Sequence, residues 1–450
     1  MTATLEHPVE REHPAPLVAA FRFELTKLLS QWRTRVLLLA CLLAPACFVA
    51  VIGSQSSLPT DTVFGRWMQA TGWAGSLVVL AFACSWGLPL LTSLVAGDVF
   101  AAEDRLGTWR HLLVAVRSPR RIFVAKALSS LSVILVMVTA LCASSVAGGL
   151  ASVGHHPLIG LDGHTLAAGE AARVVLLAWL CVLAPTLAFA AVGLLGSVVL
   201  GRSPLGLLVP ALLALSMNLV LLLPVPVAVR LALPSNGFLA WRGLFTEPPQ
   251  VSTLVVSIAV SLVWAVAATG LAYLAFVRRD FSDLANDGAG RRALVTTVLP
   301  LVALTTATAL VVAAATPSAG SGIDRPKLEA SLSAAYAHLY RLQTEQLHRP
   351  PVTEAQLRTD ATCDKGGERG VDRGPGNDWR CVVTWRLPGS TAVGSATYQL
   401  DVTAEGRYVA DGDGPKEVNG NFTVRTPLGD APNPLWQLDG YVDLLRPPTH

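Results

Sequence analysis

Asp98, Glu103 and Asp104 form an acidic run that is followed by Arg105, Arg110, Arg117, Arg120, Arg121 and Lys126, with Gly107-Thr108 between Arg105 and Arg110. Leu106, Trp109, Leu113 and Val116 repeat at helical spacing behind the acids, and Ser118-Pro119 ends that helix. The chemistry such a stretch offers is ion pairing and docking. On composition alone it is also what a solvated basic loop looks like. A second group of chemically able side chains is His155, His156, Asp162 and His164, which are zinc-ligand types at a spacing that matches no standard site, and His-His-Pro reads as a turn. No metal site is expected. There is no Gly-x-x-x-x-Gly-Lys-Ser/Thr phosphate loop, no His-Glu-x-x-His and no Gly-x-Ser-x-Gly, so neither ATP hydrolysis nor these hydrolase chemistries are expected of this chain.

The elements that must position these residues follow from where charge is missing. The chain has 450 residues, 52% hydrophobic and 14% charged, with a mean hydropathy of +0.50, whereas soluble domains carry about 25% charged residues. Residues 324–450 hold 14 Lys/Arg and 17 Asp/Glu, so the charge is concentrated in the last third. A bilayer crossing needs about 20 apolar residues. Apolar stretches predict spans near 36–54, 74–96, 128–152, 174–200, 205–229, 252–277 and 294–315.

Basic residues orient the spans, because cytoplasmic loops retain Lys and Arg. One set of connecting segments holds 16 of them (Arg11, Arg22, Lys27, Arg33 and Arg35 in the tail, the six from Arg105 to Lys126, then Arg202, Arg278, Arg279, Arg291 and Arg292), against 4 in the alternate set (Arg66, Arg173, Arg230, Arg242). With seven spans the N-terminus is expected in the cytoplasm and residues 324–450 outside it. Cys363 and Cys381, alone in that outer region, are then expected to form a disulfide. The net charge of +3 is too small to imply nucleic acid.

The outer region reads as a small α+β domain. An amphipathic helix over 326–347 places Leu328, Leu332, Ala335, Leu339 and Leu342 on one face, and Pro350-Pro351 ends it. Strand-like runs follow at Arg380–Arg386, Ala396–Thr403, Arg407–Ala410 and Asn421–Arg425. Residues 317–322 (Pro-Ser-Ala-Gly-Ser-Gly) read as a flexible joint. Another amphipathic helix, over 17–32, puts Leu17, Phe21, Leu25, Leu28 and Trp32 on one face. Between spans five and six, Pro234-Ser-Asn-Gly-Phe-Leu-Ala-Trp-Arg-Gly-Leu-Phe245 reads as a short re-entrant element or an aromatic belt.

The order Asp-x-x-x-x-Glu-x-x-x-Gly-Thr, a Leu-Leu pair, Ser-Pro-Arg-Arg and then Ala-Lys closely resembles the cytoplasmic coupling segment of type-2 ABC transporter permeases. On that resemblance Asp98, Glu103, Gly107, Thr108, Pro119, Arg121 and Lys126 match the family pattern, and Asp104, Arg105 and Arg110 lie in the same segment, 98–121. The resemblance covers about residues 17–279. It implies a polytopic α-helical membrane protein of the bacterial plasma membrane: a cytoplasmic tail with an interfacial helix (1–35), a six-span exporter core (36–279), then a loop, seventh span and linker (280–323) and the outer domain (324–450), the last two being departures from the six-span pattern similar to extra C-terminal domains on some actinobacterial permeases. It implies as partners a separate ATP-binding subunit, which would carry ATP and Mg, a second permease copy or a related permease, and membrane lipid.

The predicted spans contain no Asp, Glu, Lys or Arg, which disfavours ion-coupled transport. Ser85, Ser216 and Asn218 are their main polar groups, read chiefly as helix-packing residues and otherwise as a weakly polar pathway suited to lipophilic or amphiphilic cargo such as a drug, lipid, peptide or antibiotic. The alternative is a membrane-anchored protein whose outer domain binds or senses a ligand without transport.

Overall fold

The computed structural model describes residues 16–55, 64–201, 205–279, 281, 294–316, 320–366, 372–427 and 429–445. Arg11, Arg202, Pro204, Arg291, Arg292 and the first half of the expected joint (317–319) lie outside them. Helix α1 (Leu17–Ser30) precedes α2 (Trp32–Gly53), with extended Gln31 breaking the two apart. Next come α3 (Gly72–Ala96), the short α4 (Ala101–Leu106) and α5 (Trp109–Val116), and the 34-residue α6 (Pro119–Ser152). Helix α7 (Ala168–Leu200), α8 (Leu205–Leu221), α9 (Val227–Leu231), α10 (Ser252–Val277) and α11 (Val295–Ala315) complete the apolar part. Among the described residues six of these (α2, α3, α6, α7, α10 and α11) are long and apolar enough to cross a membrane.

The predicted fifth span is shorter than expected. Helix α8 ends at Leu221 after 17 residues, about 25 Å of rise. The expected continuation to 229 fails because Pro224 and Pro226 lock φ, donate no N–H and force the residues before them out of helical geometry. The carbonyls this leaves open are capped by Arg230 of α9, whose Nη2 lies 2.7 Å from Leu221 O and 3.4 Å from Leu223 O. Helix α8 still links the two ends of the molecule: Leu207 meets the backbone of Gly97 at one end, and Leu221 meets Arg230 at the other.

Beyond α11 the chain forms α12 (Arg325–Gln346) and a five-stranded antiparallel sheet in the order β3-β4-β5-β6-β9. Its strands are β3 (Arg358–Asp364), β4 (Gly376–Arg386), β5 (Val393–Val402), β6 (Arg407–Gly412) and β9 (Gln437–Tyr441), while β1 (Leu158–Ile159) and β2 (Thr165–Leu166) form a separate small hairpin, as do β7 (Thr423–Thr426) and β8 (Gly429–Pro432). Period-two burial in β4 and β5 turns Trp379, Cys381, Val383, Ala396, Tyr398 and Leu400 inward. Leu328, Leu332, Ala335, Tyr336 and Leu339 of α12 are buried on the other side of that core, and the Tyr336 ring lies tilted 5.0 Å from that of Trp385. Cys363 and Cys381 are direct register partners on β3 and β4 and are joined by a disulfide.

The joint before α12 is docked rather than loose in its described half. Gly320 O accepts from Val227 N at 2.8 Å. Gly322, at φ 74°, sits where a Cβ would lie 2.5 Å from Leu444 O, so only glycine fits.

Candidate coupling site

The charged segment is bent at Gly107, whose φ of 65° ends α4 in the left-handed conformation. Its start is capped from α7: Ser197 Oγ accepts from the backbone N of Phe100 (3.0 Å) and of Ala101 (2.9 Å). Underneath, Phe100 stacks with Phe123 (5.4 Å) and meets Phe276 (5.1 Å), and Trp109 meets Phe276 at 5.3 Å. These rings seat the α4–α5 elbow on α6 and α10. Pro119 opens α6, where it has no N–H to lose, and Ser118 caps that turn.

The acids of this segment face inward. Asp98, Glu103 and Asp104 are all buried, and each is paired within the chain. Glu103 accepts from Lys126 Nζ at 2.7 Å and also from Lys27 and Thr108. Lys126, 1% exposed, reaches Glu24 of α1 at 2.9 Å as well. Asp98 joins Arg33 to Arg105. Asp104 takes Arg279 Nη1 at 2.9 Å and Trp109 Nε1 at 2.7 Å. Burial alone would raise the Glu103 carboxyl, but Lys126, Lys27 and Thr108 outweigh it and hold the group down to about 2. The network therefore ties α1, the elbow, the start of α6 and Arg279, two residues past α10, into one body.

What the elbow turns outward is different. Arg105, Gly107, Arg110, His111, Arg117 and Arg120 are exposed, together with Leu106 (68%) and Val114 (67%). Thr108 and Arg121 are half-exposed. The accessible ridge is basic and apolar, and the acids behind it brace it.

Sequence reasoning missed Glu24, Lys27, Arg33 and Arg279 as members of this network. The face expected for α1 also differs, because Ala20, Glu24 and Leu28 are buried whereas Leu17 and Trp32 are exposed. A signal was present, since Glu24 is the one acid between residues 13 and 60. An acid set alone on an apolar helix needs a cation, and Lys126 supplies it.

The other expected groups separate. His155 and His156 are exposed and stack on each other at 6.4 Å. Asp162 and His164 are buried, 2.5 Å apart, and are joined by His338 from α12, whose Nε2 lies 3.2 Å from Glu354. Burial would raise Asp162, but His164, His338 and the Glu247 N–H (2.8 Å) hold it below the usual carboxylate range. Among the described residues no group of three or more His, Cys, Asp or Glu is arranged to hold a metal. Ser85 and Ser216 are exposed and donate to carbonyls of their own helices, Ala81 O at 2.9 Å and Leu213 O at 2.8 Å, and Asn218 is half-buried. The 234–245 stretch, expected as a re-entrant element or an aromatic belt, forms two largely buried 3-10 turns, with Asn236 Nδ2 2.9 Å from Ser257 Oγ.

The fold and this site together define a polytopic, mostly helical membrane protein with a small C-terminal sheet domain. Compared with known proteins, the chain matches no family model, no curated protein and no solved structure.

Proposed function

We propose that this chain is the membrane subunit of an ATP-driven exporter, with α4 and α5 as the element that receives motion from a separate ATP-hydrolysing subunit. The observation that carries the reading is the division of labour in the elbow. Its acids are sunk into a network that spans α1, α6 and α10, while Leu106, Arg110 and Val114 stand out as a ridge a partner can grip. A push on that ridge is transmitted because Lys126 and Arg279 connect it to two long apolar helices.

In this reading the pole bearing α1, α4 and α5 is cytoplasmic, consistent with its basic residues, and the disulfide-bearing domain lies on the oxidising side. The apolar helices suit a lipophilic or amphiphilic cargo moved between this copy and a second permease chain. Affinity purification of the full-length protein from its own cells is expected to retain an ATP-hydrolysing subunit. Arg110→Glu with Val114→Glu is expected to release that subunit without reducing membrane insertion. Retention of the same subunit by the double variant would defeat the assignment of the ridge.

A further inference from the structure

Among the described residues the C-terminal domain touches three connecting segments at its end of the molecule. From the segment before α3, Arg66 pairs with Asp439 of β9 and donates to Gln437 O at 2.7 Å. From the α6–α7 connection, Asp162 is 3.6 Å from His338 Nδ1, Thr165 accepts from Arg341 at 2.8 Å, and Gly163 lies under Leu339. From the α9–α10 connection, Arg242 pairs with Glu405, Gln250 Nε2 donates to Tyr441 O at 2.8 Å, and Ser252 bonds Asp443. Asp162 adds a cross-tie, since it also accepts from Glu247 N.

We propose that residues 320–445 are a clamp that holds these three connections as one cooperative unit, so that the connections cannot part from one another until the clamp lets go. The clamp is built to let go. Its fixed points include the Arg66–Asp439 and Arg242–Glu405 ion pairs, and charges released from such a joint regain water, which offsets much of the lost pairing. Three guanidinium groups, Arg66, Arg242 and Arg407, converge on two carboxylates, Asp439 and Glu405. Arg242 Nε and Arg407 Nε are buried without a partner. Burial and the neighbouring cations hold Arg66 and Arg407 down to about 10, so this joint strains against its own charge. The joint is also incompletely packed, with a cavity of about 220 Å³ between α12, residues 246–250 and residues 441–443.

The test is hydrogen exchange on the full-length protein in nanodiscs. Glu405→Gln removes a pair that touches only the α9–α10 connection. If the clamp is cooperative, exchange quickens by about tenfold not only at 240–250 but also at 64–71 and 158–166. Arg66→Gln gives the same pattern from the opposite side. Exchanging the pair, Arg242→Glu with Glu405→Arg, restores slow exchange in all three and shows that the single variants remain folded. Quickening confined to the connection that was mutated, or no quickening in either variant, overturns the clamp. The readout needs neither an ATPase nor a substrate, so failure of the transport reading leaves this result intact.

Discussion

The two ends of the molecule both bury charge, yet they do so for opposite purposes. At the α4–α5 end the hub is dry, with Lys126 and Glu103 each 1% exposed and about 20 Å³ of space beside them, little more than one water, while the outer cations Lys27, Arg33 and Arg105 are 31–51% exposed. At the other end the pairs are 13–18% exposed at their arginines, and a cavity of about 220 Å³ lies between α12, residues 246–250 and residues 441–443. Each end leaves guanidinium nitrogen unpartnered, Arg279 Nε at one and Arg242 and Arg407 Nε at the other. The difference lies in the dry hub and in what is joined. The network around Lys126 welds helices and the elbow to one another, while the other joins connecting segments to the C-terminal domain. A dry hub suits transmission of force, and pairs whose charges regain water on parting suit release.

The strongest way to break this contrast is to remove the hub of the dry network. Lys126→Met leaves Glu24 and Glu103 buried with their shared cation gone, which costs about 3–5 kcal/mol. Thermal unfolding in detergent is expected to show a large loss. Adding Glu24→Gln and Glu103→Gln recovers most of it, because the penalty comes from uncompensated charge and not from the missing side chain. No recovery in the triple variant would mean that packing around Lys126, rather than charge, holds this end together.

The disulfide sharpens the contrast from the other side. Cys363 and Cys381 are 18 residues apart in sequence, and closing such a loop stabilises by about 3 kcal/mol in the chain-entropy model. Cys363→Ser with Cys381→Ser is therefore expected to destabilise the sheet while leaving the α4–α5 end unchanged. Protease nicking of residues 365–376 reads the first, and unaltered exchange at residues 98–109 reads the second.

Acid acts selectively as well. The folded Glu103 carboxyl titrates at about 2, below its unfolded value near 4.3. A carboxylate depressed in this way contributes stability that is fully present above about pH 4.3 and is lost as pH falls toward 2. Glu103→Gln should flatten the stability profile across that window. An unchanged profile would mean that other carboxylates carry the acid sensitivity.

Much of this architecture was legible in the chain. The apolar helices, α12 and the cysteine pair follow from hydropathy, three-four periodicity and cysteine placement. Strand β3 escaped notice because only Ala361 and Cys363 of its seven residues are buried, so its alternation is carried by small side chains. The acids of the elbow were legible as a pattern but not as a geometry. Nothing local to Glu103 says that its cation comes from Lys126 rather than a partner, and nothing in His338 announces Asp162, 176 residues away. Tertiary ion pairs leave only a weak trace in sequence, such as the lone acid Glu24.

The smallest effect separates bracing from bending. Gly107 has a left-handed backbone, and no heavy atom lies within 4 Å of where its Cβ would stand. Gly107→Ala therefore meets no steric clash and carries only the backbone cost, about 1 kcal/mol. Because that strain falls on the elbow itself, the proposed partner interaction should weaken more than global stability does. Binding of the ATP-hydrolysing subunit and the melting temperature, measured on the same preparation, distinguish the two. Equal, small losses in both would show that the elbow's angle is only a fold requirement. A disproportionate loss of binding would show that the dry network holds the ridge at an angle its partner requires.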